Sequence, residues 1–239
     1  MGSVGKDKYV TFSSTARHDL GFNSDDGETD RWFSEHTNSD QLFDDIFENL
    51  GENTQAYLAF YHWLHGDFEH GEQYMNFSDM PKQHQNDTKL FDEYIDRSVL
   101  DKGIVVHRTS TPELLFGAGK KLVTEEDLQK IIGKEIVSKS NLSTSAASEG
   151  LRIRGDVLGG KHYRQIDYEI KVPSGKGNGI YLNNTKHDFQ ASDDQREFML
   201  RRDIVLKPVS YKKISDGEHG KPQYRVVLEW VKKNSYRHE

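Results

Sequence analysis

The chain of 239 residues contains no cysteine. That excludes disulfides, thiol nucleophiles and cysteine-ligated metal, and it fits a reducing or an oxidising compartment equally. Hydrophobic residues make up only 34% of the chain. No apolar run approaches the roughly 18 residues that a membrane-crossing helix needs. The opening MGSVGKDKYVTF carries no apolar stretch of signal-peptide length, so action in a cytoplasm, its own or a host's, is the expectation. Excess charge is also missing from most of the sequence. Residues 1–50 hold 4 Lys/Arg and 11 Asp/Glu, a net of −7, which equals the net charge of the whole chain. Residues 51–239 therefore sum to zero, and such a body does not advertise itself as a binder of phosphate backbones.

What is present is enough aromatic and aliphatic material for one substantial core, with aromatics at 11%. The acidic opening reads as a solvated, flexible lead-in over residues 1–39, ahead of a single domain over 40–239. Leu42, Phe43, Ile46, Phe47 and Leu50 recur at helical spacing after Asp40, a candidate N-cap. Thr54 opens a second helical run ending at Gly66, and a third segment covers 68–78. Leu90, Phe91, Tyr94 and Ile95 form the inner stripe of a fourth helix over 87–98. After Gly103 the texture turns to strands. Ile104–Arg108 is β-rich, and 164–172 and 225–231 alternate apolar and polar residues with period two. A short helix over 125–132 interrupts them, with Thr124 as its cap. Helices first and strands later predict an α+β domain and not alternating βαβ units.

Three elements carry candidate chemistry. Arg108 ends a strand, where its planar fork suits a phosphate or a structural carboxylate. Asn141-Leu142-Ser143-Thr144-Ser145 offers short hydroxyls that can bond a ligand or orient an acid. In Gln195-Arg196-Glu197, strand alternation puts the amide and the carboxylate on one face, with Phe198 and Leu200 turned to the core. Such a carboxylate can stabilise a developing cation while the amide holds an acceptor. His62 and His65 stand at a spacing that can ligate zinc, but no third ligand is suitably placed.

Taken in order, Arg108, Ser143-Thr144-Ser145 about 35 residues on, and Gln195-x-Glu197 about 50 further resemble the signature of the mono-ADP-ribosyltransferase superfamily. Lys176–Leu182 (KGNGIYL) resembles the strand before that family's substrate-recognition turn, and HWLHGDFEHGEQYMNF resembles its helical lobe. The resemblance spans roughly residues 40–232. Gln before x-Glu is similar to the Rho-modifying clostridial exoenzyme and pierisin types.

The resemblance implies an N-terminal helical lobe packed on a two-sheet, mainly antiparallel β core, with a central cleft for NAD, used as substrate, and no metal. It implies that Glu197 is the catalytic carboxylate beside the ribose, with Ser143 orienting it. Thr144 and Ser145 brace their strand, and Arg108 holds an NAD phosphate. Thr109 stands where the family often has Gly, against the nicotinamide amide. Arg154 offers a second phosphate contact, with Arg152 behind it. Gln195 and Phe189 face the acceptor. That acceptor is a macromolecule, with protein favoured over DNA or RNA by the acidic loop holding Asp188, Asp193 and Asp194. Ser192 replaces the aromatic residue of the Rho-modifying group. The implied setting is a toxin, a phage modifier or a defence effector, with a carrier or inhibitor protein as a further partner. A non-catalytic nucleotide- or partner-binding module on the same fold and an NAD glycohydrolase are the alternative readings.

Overall fold

The computed structural model describes residues 9–12, 28–50, 77–117, 119–120, 122–147, 166–182, 196–216 and 222–233. Helices α1 (Glu28–His36) and α2 (Ser39–Leu50) come first. A 3-10 turn (Phe77–Asp79) leads into α3 (Lys82–Arg97). Strands β1 (Val99–Leu100) and β2 (Ile104–Ser110) follow, then the short helices α4 (Glu113–Phe116) and α5 (Glu125–Ile131). The remaining elements are strands: β3 (Ile136–Val137), β4 (Leu142–Ser145), β5 (Ile166–Val172), β6 (Gly175–Lys176), β7 (Gly179–Tyr181), β8 (Glu197–Leu200), β9 (Ile204–Ser215) and β10 (Gln223–Lys233).

The α+β class expected from the sequence is the class observed. Eight strands form one continuous sheet in the order β3-β9-β10-β5-β2-β4-β8-β7, and β1 pairs with β6 in a separate ribbon. Every neighbouring pair is antiparallel except β10 with β5. β5 alternates buried and half-buried residues along its whole length, as its period-two pattern predicts. Ile166, Tyr168, Ile170 and Val172 enter the main core with Ile104 and Val106 of β2 and Val226 and Leu228 of β10. On β8 and β4, Phe198, Leu200 and Leu142 belong to that core as well.

The helices pack on the sheet through a second apolar cluster. Leu42, Phe43 and Ile46 of α2 and Phe91, Tyr94 and Ile95 of α3 meet Ile180 of β7 and Met199 of β8. Helix α2 begins at Ser39, which places Asp40 in the first turn and not at the cap. A carboxylate there still favours the positive end of the helix dipole. Helix α3 begins at Lys82, directly after Pro81 and five residues earlier than the apolar stripe indicates. Its first turn is polar and therefore invisible to a reading of hydrophobic period. Two arginines after β8 tie α3 down. The Arg202 Nε lies 2.6 Å from the buried Asp92 carboxylate, and Arg201 bonds Asp96 at 2.6 Å. Burial pushes the Asp92 carboxyl up despite both guanidinium groups. Thr124 caps α5 through a reciprocal capping box with Asp127. The runs at 54–66 and 68–76, including His62 and His65, lie outside the described residues.

Among the described residues of the stretch read as a lead-in, Val10, Phe12, Trp32 and Phe33 contribute to the main core. Val10 bridges Ile104, and Phe12 is buried. Phe33 on α1 is 1% exposed, and its ring stacks on Tyr181 at 3.8 Å between centroids. Trp32 packs edge-on against Phe12 at 5.3 Å. Net charge averages over a helix, whereas packing depends on one face. Two adjacent aromatics suffice to seat α1 although its flanks are acidic.

Candidate active site

Strands β4 and β8 run antiparallel, with Ser145 opposite Glu197, Thr144 opposite Phe198 and Ser143 opposite Met199. Residues opposite one another share a face, and alternate residues along a strand do too. Ser143, Ser145, Glu197 and Met199 therefore lie on the face that α2 and α3 cover at Met199, while Thr144 and Phe198 face the main core. The helical lobe packs on the same side as the carboxylate and stands next to it.

The Ser143 hydroxyl donates to Glu197 Oε1. Glu197 is 5% exposed, so this charge-assisted bond acts where water competes little. Arg108 Nη1 donates to the Ser143 carbonyl oxygen at 2.5 Å, fixing the backbone of the residue that holds Glu197. Residues 108, 143 and 197, separated by 35 and 54 positions, thus meet through two consecutive hydrogen bonds. Thr144 Oγ1 donates to the Phe198 carbonyl, and Ser145 Oγ donates to the Ala147 carbonyl at 2.8 Å. Both contacts tie the β4 end of the site. Thr109 Oγ1 donates to Asp167 Oδ1 at 2.8 Å, anchoring the residue after Arg108 to β5.

Gln195, Phe189, Arg152 and Arg154 lie outside the described residues, as do Asp188, Ser192, Asp193 and Asp194. The strand starts at Glu197, and Arg196 before it has a φ of 44°. Regular pleating ends there.

Two residues near the site were not singled out as functional in the sequence. Arg196 is 7% exposed and pairs through Nη1 with Asp30 of α1. Neither its backbone conformation nor a partner 166 positions away is visible in the local sequence. His107 lies opposite Ser145 on β4 and Glu169 on β5, so His107, Ser145 and Glu197 form one row across three strands. Its Nε2 is buried without a hydrogen-bond partner. Burial, and secondarily the charge of Arg225, pull its pKa down to about 4, so the ring is neutral at physiological pH. Among the described residues no group of three or more His, Asp or Glu side chains could hold a metal ion. No helix among them is long and apolar enough to cross a membrane.

No family model and no curated protein matches the chain. Solved structures do. Plx2a, an ADP-ribosyltransferase toxin from Paenibacillus larvae, superimposes with a TM-score of 0.58 at 19% identity, over 87% of this chain and 97% of its own. An ADP-ribosyltransferase from Clostridium botulinum gives a TM-score of 0.62 at 16% identity, over 95% and 100%. C3stau2 from S. aureus, solved with NAD, gives 0.60 at 15% identity, over 95% and 100%. At such identities the likeness is one of fold, and it extends over nearly the full length of both partners.

Proposed function

We propose that this chain, which has the fold of ADP-ribosyltransferase toxins, transfers ADP-ribose from NAD to a macromolecular acceptor, a protein in preference to a nucleic-acid base. The observation that carries the proposal is the hydroxyl–carboxylate bond between Ser143 and Glu197, with Arg108 bracing the Ser143 carbonyl. The contacts among these three residues, and a fold similar to that of a protein solved with NAD, support the reading.

In the proposed reaction the bond between the ribose C1′ and the nicotinamide nitrogen breaks. Its electron pair stays on the nitrogen, so a cationic ring departs neutral. Positive charge develops on the ribose, and Glu197 stabilises it electrostatically. Ser143 fixes the carboxylate in advance, so little reorganisation is needed as the charge appears. The acceptor nucleophile then bonds C1′ and releases a proton. Because the leaving group already carries the positive charge, the scheme calls for no metal. Arg108 is the candidate for the NAD phosphates, with Arg154 as a second contact. Thr109, Thr144 and Ser145 hold the backbone around the nicotinamide end. Gln195 and Phe189 are the candidate acceptor contacts.

NAD labelled in its adenylate half, incubated with cell lysate and the purified chain, tests the proposal. The expected result is a labelled product sensitive to protease and resistant to nuclease. Glu197→Gln should lower labelling by about 100-fold or more, with NAD binding and folding retained. Labelling by that variant at near the wild-type rate would overturn the assignment of Glu197. A nuclease-sensitive product would move the acceptor to nucleic acid.

A further inference from the structure

The residue immediately before Glu197 occupies a backbone conformation that residues other than glycine avoid. Arg196 has a φ of 44°. Left-handed backbone at a residue with a long side chain is unfavourable and persists only where surrounding contacts impose it. Three contacts do so. The Arg196 carbonyl accepts from the Ala146 amide at 2.8 Å, just past β4. The Glu197 carbonyl accepts from the Leu182 amide at 2.9 Å, at the end of β7. The Arg196 guanidinium, itself buried, pairs with Asp30 Oδ2.

Asp30 does more than neutralise one arginine. Its other oxygen, Oδ1, accepts from the Tyr181 hydroxyl at 2.5 Å. The Tyr181 ring stacks on Phe33, one turn along the same helix, with 5° between the planes. A single carboxylate on α1 thus joins β7 and the residue leading into β8. These are the two strands that meet beside Glu197.

We propose that Asp30 is a positioning residue for Glu197, acting through Arg196, and that helix α1 is part of the device that sets the catalytic carboxylate. The role attributed to Glu197 rests on the function proposed above. In this role Asp30 acts through Arg196 and not on the reacting atoms. It holds the left-handed turn that determines where the Glu197 carboxylate leaves the strand, so that it meets the Ser143 hydroxyl. A misplacement on the order of 1 Å there suffices to cost about 100-fold in rate.

The test combines NAD cleavage kinetics with amide hydrogen exchange on the full chain. Asp30→Ala should lower kcat for NAD cleavage about 10- to 100-fold, with KM for NAD changed less than about twofold. Exchange at Ala146 and Leu182 should quicken. Arg196→Gly separates backbone from side chain, because glycine adopts the left-handed turn without strain but carries no guanidinium. It should lose kcat as Asp30→Ala does, and the double variant should lose little more than either alone. Asp30→Asn, which retains an oxygen for Tyr181, should recover part of the loss. Should Asp30→Ala not fold, Asp30→Asn and Arg196→Gly carry the test. Unchanged kcat in folded variants, or independent losses that multiply, would overturn the proposal. If the wild-type chain cleaves no NAD even with cell lysate supplying the acceptor, the functional reading fails by itself, and exchange at Ala146 and Leu182 still decides whether Asp30 holds the turn.

Discussion

His107 shows at the scale of one residue how a strand position becomes a titration. The half-buried ring has its Nε2 out of contact with water and lies near the charge of Arg225, and its pKa falls from 6.5 to about 4. The folded protein therefore binds this proton less readily than the unfolded chain. Stability is fully present above pH 6.5 and is lost as pH falls towards 4. By pH 5 the loss amounts to about 2 kcal/mol. His107→Gln, compared with wild type by denaturant unfolding at pH 7.5 and pH 5, should remove that part of the pH dependence. Equal slopes in both proteins would show that the ring does not carry it. The carboxylate of Glu197 belongs to the same row of side chains. His107 therefore places a neutral, not a cationic, neighbour on the face where the proposed reaction builds positive charge.

At the scale of elements, the site depends on how closely β7 approaches β8. Gly179 stands opposite Leu200 at the start of β7. A Cβ placed there would lie 2.4 Å from the Phe198 ring and 2.6 Å from the Met199 carbonyl oxygen. Gly179→Ala must therefore push the edge strand away or displace the Phe198 ring, at a cost of about 1–3 kcal/mol. Thermal unfolding measures that loss, and a variant as stable as wild type would show that the edge yields easily. Much of this element structure was legible beforehand. The alternating patterns placed β5 and β10, and the hydroxyl at Thr124 placed the start of α5. Short-range period and local capping are written in neighbouring residues. The polar first turn of α3 was not legible, because hydrophobic period is the signal and that turn carries none. The backbone turn at Arg196 was equally silent, since a long cationic side chain gives no hint of a positive φ.

At the scale of the molecule, the aromatic contacts of the N-terminal stretch join it to the domain. Phe33 touches Phe12, Tyr181 and Phe198, all in the main core. Phe33→Ala should destabilise the whole fold by about 3–5 kcal/mol, read from denaturant unfolding followed by more than one probe. A loss below about 1 kcal/mol would mean that α1 is dispensable to the core. The acidic composition of residues 1–39 reads as a solvated lead-in, because charge counts weigh every residue equally, and of that stretch the structure describes residues 9–12 and 28–39. Burial does not, and one helix face bearing Trp32 and Phe33 outweighs the acidic average.

The order Arg108, Ser143, Glu197 could be recognised in the sequence because residue type and approximate spacing survive as one-dimensional information. So could the α+β class, through the succession of helical and strand periods. The tertiary structure alone decided that the Ser143 hydroxyl reaches Glu197 and that Arg108 grips the carbonyl between them. It alone brought Asp30 to Arg196 across most of the chain. Strand order and register are collective properties of the packed sheet, and no local stretch of residues specifies which distant side chain will arrive beside it.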